Sequence, residues 1–165
     1  MLDKIFGFML QAKRASQYST CLKRKIGVAI PYVADETMWG YNKSAKPCKV
    51  CERETCPATH AEVVAINSFI STNTMHTLTT LYIWAEVPCR QCLSYIKQYS
   101  SIRKIFCLNR ESYGKEYPSV LSRKEEINQR KEYAQAIGLR ITELAREEIL
   151  EHELYLSASD DIQPN

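Results

Sequence analysis

The order of its apolar segments predicts that the chain folds as an α/β domain, in which helices cover both faces of a central mixed five-stranded sheet in three layers. Segments with helical and strand-like periodicity follow one another as α-β-β-α-β-α-β-α-β-α. The length of 165 residues suits one domain with a single core. The sequence contains neither internal repeats nor a visible domain boundary. We therefore expect residues 1–165 to form one domain, ending in a helix and a frayed acidic tail over residues 157–165.

The first third of the chain contains one predicted helix and a pair of predicted strands. Apolar residues recur at helical spacing over residues 2–16, and basic residues near the end suit the negative end of the helix dipole. Residues 26–30 are continuously apolar and predict a buried strand ended by Pro31, while residues 37–41 can form the returning strand of a hairpin. Residues 42–59 lack periodicity and contain three cysteines, so we expect a loop that is functional or tied down.

The rest of the chain alternates helices with strands. The predicted helices are 60–70, 88–100, 120–137 and 145–156, and the predicted strands are 78–87, 102–108 and 139–144. Pro88 suits a first helical turn, because its missing N–H has no intrahelical partner there. Gly138 suits the position just after a helix, and the tyrosines and glycine of residues 110–119 predict a loop.

The charge of the chain is small but unevenly distributed. The net charge is +3 and the pI is about 8.4, yet residues 1–53 hold ten Lys/Arg against four Asp/Glu, and residues 143–161 hold one Arg against seven acids. Two solvated faces of opposite sign would explain this pattern, as would a basic half that receives a phosphate. No apolar run approaches the length that spans a bilayer, and residues 1–4 begin no signal peptide. We therefore expect a soluble cytoplasmic chain without a membrane partner.

Two short motifs predict a catalytic zinc site. His60-Ala61-Glu62 and Pro88-Cys89-Arg90-Gln91-Cys92 each open a predicted helix, and together they match the H-x-E…P-C-x2-C signature of zinc-dependent nucleobase deaminases. His60, Cys89 and Cys92 supply three ligands, which leaves one zinc position open for water. Glu62 is then the candidate proton shuttle. A purely structural zinc at the same residues is the alternative, but it would leave Glu62 without a task.

A second set of cysteines precedes the first motif. Cys48, Cys51 and Cys56 lie in the aperiodic loop, and Cys21 lies just before the first predicted strand. Four cysteines can form a closed tetrathiolate zinc site that would order the loop. Free buried thiols or redox pairing are the alternatives. Cys107 lies within an apolar strand and is most simply a small core residue.

The chain resembles the deoxycytidylate (dCMP) deaminase family of the cytidine deaminase-like superfamily. The resemblance runs from roughly residue 3 to residue 143 and is carried by residues 19–27, by Gly40-Tyr41-Asn42 and by the two zinc motifs. It implies the cytidine deaminase-like fold and hydrolysis of dCMP to dUMP and ammonia in pyrimidine nucleotide metabolism, with hydroxide attacking C4 of the ring and Glu62 transferring the protons.

The resemblance also implies roles for individual residues. Asn42 would contact the sugar, the backbone N–H of Ala61 would meet the pyrimidine carbonyl, and Ser19, Lys23 and Arg24 would be candidates for the phosphate. It favours Cys21 and Cys48 as ligands of a structural zinc, which Cys51 and Cys56 would complete, and a homo-oligomer, as a hexamer or dimer. The family commonly has Asn where this chain has Val64. The resemblance therefore indicates the type of reaction more clearly than it indicates the exact substrate.

Three other functions are compatible with these motifs. A nucleic-acid-editing deaminase would act on a base in single-stranded DNA or RNA, and the basic half of the chain suits it. However, the basic residues are not interleaved with a run of aromatics and the pI is moderate, so we expect no nucleic acid partner. A deaminase of another small heterocycle and a catalytically silent zinc protein share the same motifs.

Overall fold

The computed structural model describes residues 1–21, 24–33, 36–44, 58–72, 76–118 and 121–160. Within these residues the chain forms six helices and five strands. The helices are α1 (Leu2–Ser16), α2 (Ala61–Ser71), α3 (Arg90–Tyr99), α4 (Arg110–Glu116), α5 (Lys124–Ala136) and α6 (Arg146–Asp160). The strands are β1 (Gly27–Val33), β2 (Glu36–Tyr41), β3 (Thr80–Trp84), β4 (Lys104–Leu108) and β5 (Arg140–Leu144).

The five strands form one mixed sheet in the order β2-β1-β3-β4-β5. Strand β1 is antiparallel to β2 and β3, whereas β3, β4 and β5 are parallel. Helix α1 packs on β1, β2 and β3 and contacts α6, while α2, α3 and α5 contact one another in sequence and reach the sheet through β1, β2 and β5. Parallel strands require such crossover helices. The predicted three-layer architecture with a mixed five-stranded sheet is therefore confirmed.

Buried apolar side chains line both faces of the central strand β3. Residues 81–84 of this strand are all buried, as are Ile105 and Cys107 of the neighbouring strand β4. Because helices cover both faces, the strand has no solvated side, which explains its continuous apolar sequence. None of the helices in the described ranges is long and apolar enough to cross a membrane.

Two glycines allow helices to approach the sheet closely. A Cβ atom on Gly27 would overlap the carbonyl oxygen of Ala12 in α1. A Cβ atom on Gly40 would overlap the carbonyl oxygen of Ala61 and lie 2.7 Å from the Cβ of Ala65, both in α2. Glycine at these positions is therefore a packing requirement. The contact at Gly40 seats the first turn of α2 directly on β2.

Several predicted boundaries are wrong. Strand β1 continues past Pro31 to Val33, with an irregular register between these two residues. The proline is tolerated because the pairing of β1 with β3 extends only over Gly27–Ala29, so no partner on that side needs its N–H. Strand β3 is shorter than predicted, α5 begins at Lys124 and not at residue 120, and α6 continues to Asp160.

A helix also replaces the loop predicted over residues 110–119. Helix α4 begins after Asn109, whose side chain accepts a hydrogen bond from the backbone N–H of Ser112 at 2.7 Å. Tyr113 of this helix is fully buried. Capping and the burial of one aromatic residue thus stabilise a short helix that has no apolar periodicity.

Candidate metal centre and active site

The candidate metal ligands lie at the starts of two neighbouring helices. His60 is the N-cap residue of α2 and Cys89 is the N-cap residue of α3, both with extended backbone, and Cys92 lies in the first turn of α3. The Nδ1 atom of His60 is 3.1 Å from the Sγ of Cys92 and 3.7 Å from the Sγ of Cys89. All three ligand atoms lie within 4.8 Å of one another. The structure thus brings the three predicted ligands together.

This donor set fits zinc. Two sulfurs and one imidazole nitrogen are soft or borderline ligands, which favour zinc over magnesium or calcium, and three protein ligands leave one position for water. A hydrogen bond with the Cys92 thiol is the main reason that the pKa of the Cys89 thiol lies well below its ordinary value. A hydrogen bond with His60 lowers this pKa further, whereas burial opposes the shift. The α3 N-terminus also favours a thiolate at this position.

Glu62 lies beside these ligands in the first turn of α2. Its side chain is only 3% exposed, and its Oε2 atom is buried without a hydrogen-bond partner among the residues that the structure describes. Burial raises the pKa of the Glu62 carboxyl, although the charge of His60 opposes this. A buried carboxylate oxygen without a partner is costly, so it indicates a site that a ligand completes.

Two adjoining pockets open onto the candidate metal centre. The inner one, of about 200 Å³, contains Glu62, and the outer one, of about 370 Å³, extends along the start of α3. Both are lined by His60, Cys89, Glu126 and Arg130. The pockets together form a cleft that leads to two of the three candidate ligands, His60 and Cys89.

A buried ionic cluster forms one wall of the inner pocket. Glu86 is 1% exposed and accepts hydrogen bonds from the backbone N–H and the hydroxyl of Ser122. The guanidinium of Arg130 lies 3.9 Å from Glu86, donates to the carbonyl oxygen of Val87 at 3.0 Å, and pairs with Glu126 on the same helix. This cluster ties α5 to the segment that leads from β3 into α3.

Arg24, which lies between α1 and β1, also lines the inner pocket. Burial lowers the pKa of Arg24, but the neighbouring Tyr113, Glu86 and Glu62 outweigh it and raise the pKa above its ordinary value. Arg24 lines this pocket together with Glu62 and Glu86. Its assignment to a phosphate stays a prediction.

Asn42 organises the segment between α1 and β1. Its Oδ1 accepts hydrogen bonds from the hydroxyl of Ser19 at 2.6 Å and from the N–H of Ile26 at 2.8 Å, and its Nδ2 donates to the carbonyl oxygen of Arg24 at 2.8 Å. Asn42 is 6% exposed. Asn42 and Ser19 thus hold the backbone from which Arg24 enters the pocket, and their predicted contacts with substrate remain untested.

The other predicted residues divide into two groups. Ala61 is fully buried at the first position of α2, and Cys21 is a buried free thiol. Lys23, Cys48, Cys51 and Cys56 lie outside the described residues, so their predicted roles stay predictions.

The ionic cluster is not among the features predicted from the sequence. Glu86 offered a signal, because it is a charged residue at the end of an apolar strand and three residues before Cys89. Glu126 and Arg130 offered none, because an i,i+4 pair of opposite charge is typical of a solvated helix face.

Comparison with known proteins identifies the family. The family described as "Cytidine and deoxycytidylate deaminase zinc-binding region" matches residues 3–109. No curated protein matches the sequence.

Solved structures share the fold at low sequence identity. The dCMP deaminase from the cyanophage S-TIM5 in apo form is 18% identical, with a TM-score of 0.57 over 86% of this chain and 97% of that chain. The same enzyme in complex with dCMP and dUMP is 20% identical, with a TM-score of 0.58 over 84% and 94%. A diaminohydroxyphosphoribosylaminopyrimidine deaminase/5-amino-6-(5-phosphoribosylamino)uracil reductase from Thermotoga maritima is 16% identical, with a TM-score of 0.59 over 99% of this chain and 44% of that chain. Since the family match covers more than half of the chain and includes all three candidate metal ligands, the chain belongs to the cytidine and deoxycytidylate deaminase family of hydrolases, which act on the C–N bond of a cyclic amidine.

Proposed function

We propose that the chain catalyses the zinc-dependent hydrolytic deamination of dCMP to dUMP and ammonia. One observation carries this proposal: a buried carboxylate oxygen of Glu62, without a hydrogen-bond partner among the described residues, lies in the pocket that His60 and Cys89 line, and the ligand atoms of these two residues converge with that of Cys92. A structural zinc site would need no such carboxylate and no open pocket.

In the proposed mechanism, His60, Cys89 and Cys92 hold the metal and Glu62 moves the protons. When bound, zinc lowers the pKa of a water molecule to roughly 7. Glu62 accepts a proton as the water attacks C4 of the cytosine ring and delivers it to N3. It then takes the remaining proton from the new C4 hydroxyl and gives it to the amine, so that the C4–N bond breaks, the C4 carbonyl forms and ammonia leaves. Because Glu62 is buried, bulk water does not compete for these transfers.

The choice of a cytosine deoxynucleotide rests on the family and on the charge of the cleft. The cyanophage dCMP deaminase, which was solved with dCMP and dUMP, has the same fold. Arg24 lines the inner pocket and Arg90 the outer pocket, and each offers positive charge to a phosphate. The Thermotoga enzyme has a comparable TM-score, so a deaminase of another phosphorylated pyrimidine is the competitor that an assay must exclude.

Three further assignments complete the proposal. We propose a homo-oligomer that functions in the cytoplasm, and we propose that Cys21, with Cys48, Cys51 and Cys56, holds a second, structural zinc. The support for the second zinc is the spacing of the four cysteines and the burial of Cys21. Metal analysis of the purified protein should give two zinc ions per chain, and a single ion would exclude the second site.

The decisive experiment compares Glu62→Gln with Glu148→Gln, an exposed glutamate in α6, as a matched control. Ammonia release is measured with dCMP, dCTP, deoxycytidine, a cytosine-containing oligonucleotide and the diaminopyrimidine phosphoribosyl substrate. We expect turnover of dCMP by the wild type and the control, and a loss of at least about 10³-fold in Glu62→Gln with zinc content unchanged. Turnover of the oligonucleotide alone, or full activity of Glu62→Gln, would contradict the proposal.

A further inference from the structure

The turn that presents the two cysteine ligands is held in place by helix α5. This turn, residues 85–89, leaves the end of β3 and reaches the N-cap residue Cys89 within five residues. Arg130 donates a hydrogen bond of 3.0 Å from its Nη1 to the carbonyl oxygen of Val87, two residues before Cys89. A carbonyl in a strand-to-helix turn has no ladder partner, so this charged hydrogen bond satisfies it.

The side chain of Arg130 is itself firmly held. The residue is 8% exposed, and its guanidinium also pairs with Glu126 and lies 3.9 Å from the buried Glu86. Glu86 belongs to the same turn and is fixed by Ser122, just before α5. A planar guanidinium can serve several acceptors at once in a defined geometry, which an ammonium group cannot do.

A second set of contacts of α5 holds the N-terminal half of α3. The hydroxyl of Tyr133 hydrogen-bonds to the hydroxyl of Ser94 at 2.7 Å, and the guanidinium of Arg90 lies 5.3 Å from the centre of the Tyr133 ring. Arg130 and Tyr133 are three residues apart and lie on one face of α5. This face therefore contacts the chain on both sides of the Cys89 ligand.

From these contacts we infer that Arg130 is a positioning residue: its hydrogen bond to Val87 fixes the turn that presents Cys89 and Cys92, and so sets how tightly the site retains its metal. The inference rests on the proposed function only in taking the His60–Cys89–Cys92 cluster as the zinc site. Partners of metal ligands commonly change metal affinity by 10- to 100-fold when they are removed. Arg130 acts one step further away, through the backbone. We therefore expect that its removal changes metal affinity by about 10-fold, at the lower end of this range.

The test measures how fast zinc is transferred from the purified protein to a coloured chelator in excess. Arg130→Met should release zinc about 10-fold faster than the wild type. Lys131→Met is the matched control, because Lys131 is the next residue of α5 and pairs with Glu143 of β5, away from the pockets. The control should stay within about twofold of the wild type, since half-exposed ion pairs contribute little.

Two further variants separate positioning from a general loss of packing or charge. Arg130→Lys keeps the charge but not the planar guanidinium, and it serves as the milder variant if Arg130→Met does not fold. We expect its rate of zinc release to lie between those of the wild type and Arg130→Met.

In a Glu86→Gln background the buried carboxylate no longer needs a counter-charge. If Arg130 acts through Val87, adding Arg130→Met to Glu86→Gln should still accelerate release about 10-fold. A full rescue by Glu86→Gln would overturn the inference.

Kinetics with dCMP keep this inference separate from the proposed function. Unchanged zinc release in Arg130→Met, with a raised KM, would show that Arg130 is a substrate contact and would overturn the positioning role while leaving deamination intact. Faster zinc release from a protein that does not deaminate dCMP would uphold the positioning role and contradict the proposed function.

Discussion

Replacing Gly40 with alanine should displace the candidate metal ligand His60 without altering any side chain of the candidate site. The new Cβ would lie 2.7 Å from both the Cβ and the backbone nitrogen of Ala65, and closer still to the carbonyl oxygen of Ala61. Cβ atoms in proteins essentially never come within 3.0 Å of such neighbours. Because two of the three opposing atoms are backbone, no side chain can rotate away, and the first turn of α2 must move off β2.

This movement has three measurable consequences. Overpacking of this kind typically costs about 1–3 kcal/mol in the free energy of unfolding, and backbone contacts favour the upper part of that range. The displaced turn carries His60 and Glu62, whereas Cys89 and Cys92 belong to α3 and stay behind. A misplacement of about 1 Å can lower a catalytic rate roughly 100-fold. Urea unfolding, zinc retention and dCMP turnover measure the three effects.

Gly7→Ala is the matched control for this substitution. Gly7 lies inside α1, and an added Cβ there meets nothing within 4 Å. Alanine is favoured over glycine in a helix by roughly 0.5–1 kcal/mol, so this variant should be slightly more stable than the wild type. If Gly40→Ala also retained the stability and zinc affinity of the wild type, the close packing of α2 on β2 would be refuted.

Two predictions concern stability. Asn42→Ala should lower the free energy of unfolding by about 2–4 kcal/mol. The reason is that the buried N–H of Ile26 and the carbonyl oxygen of Arg24 lose their hydrogen-bond partner. A loss below about 1 kcal/mol would contradict the three hydrogen bonds of Asn42. Hydrogen bonding to Lys115 lowers the pKa of Glu147 to about 2. The resulting stabilisation should be present above pH 4.5 and disappear as the pH falls toward 2, so the wild type and Glu147→Gln should converge in urea unfolding at acid pH; a constant difference would argue against this interaction.

The sequence predicted the parts of the site whose residue types are rare and closely spaced. His60, Glu62, Cys89 and Cys92 could be found because few functions need those residues at the starts of two helices. The position of Arg130 could not be found, since it depends on how α5 packs against a turn more than forty residues earlier in the chain. Local patterns contain no information on such a contact.

The errors in the fold have the same origin. Helix α4 has no apolar periodicity, and its stability comes from the Asn109 cap and from the burial of Tyr113 against other elements. Pro31 resembled the end of a strand, but the register with β3 had already ended at Ala29. Tertiary context decided both cases, whereas the long apolar strands and amphipathic helices were predictable from their period alone.

The placement of the ligands at two separate helix starts links metal binding to folding. In the unfolded chain only the Cys89–Cys92 pair is close together, because His60 is 29 residues from Cys89. In the native structure α2 packs on β1 and β2 and against α3, and this packing brings His60 beside the pair. A metal bound by all three residues therefore binds the native state in preference to the unfolded ensemble, and its free energy of binding adds to the stability of the sheet. The apparent stability of the protein should accordingly follow the free zinc concentration, so the supply of zinc would affect the stability of the fold as well as its chemistry.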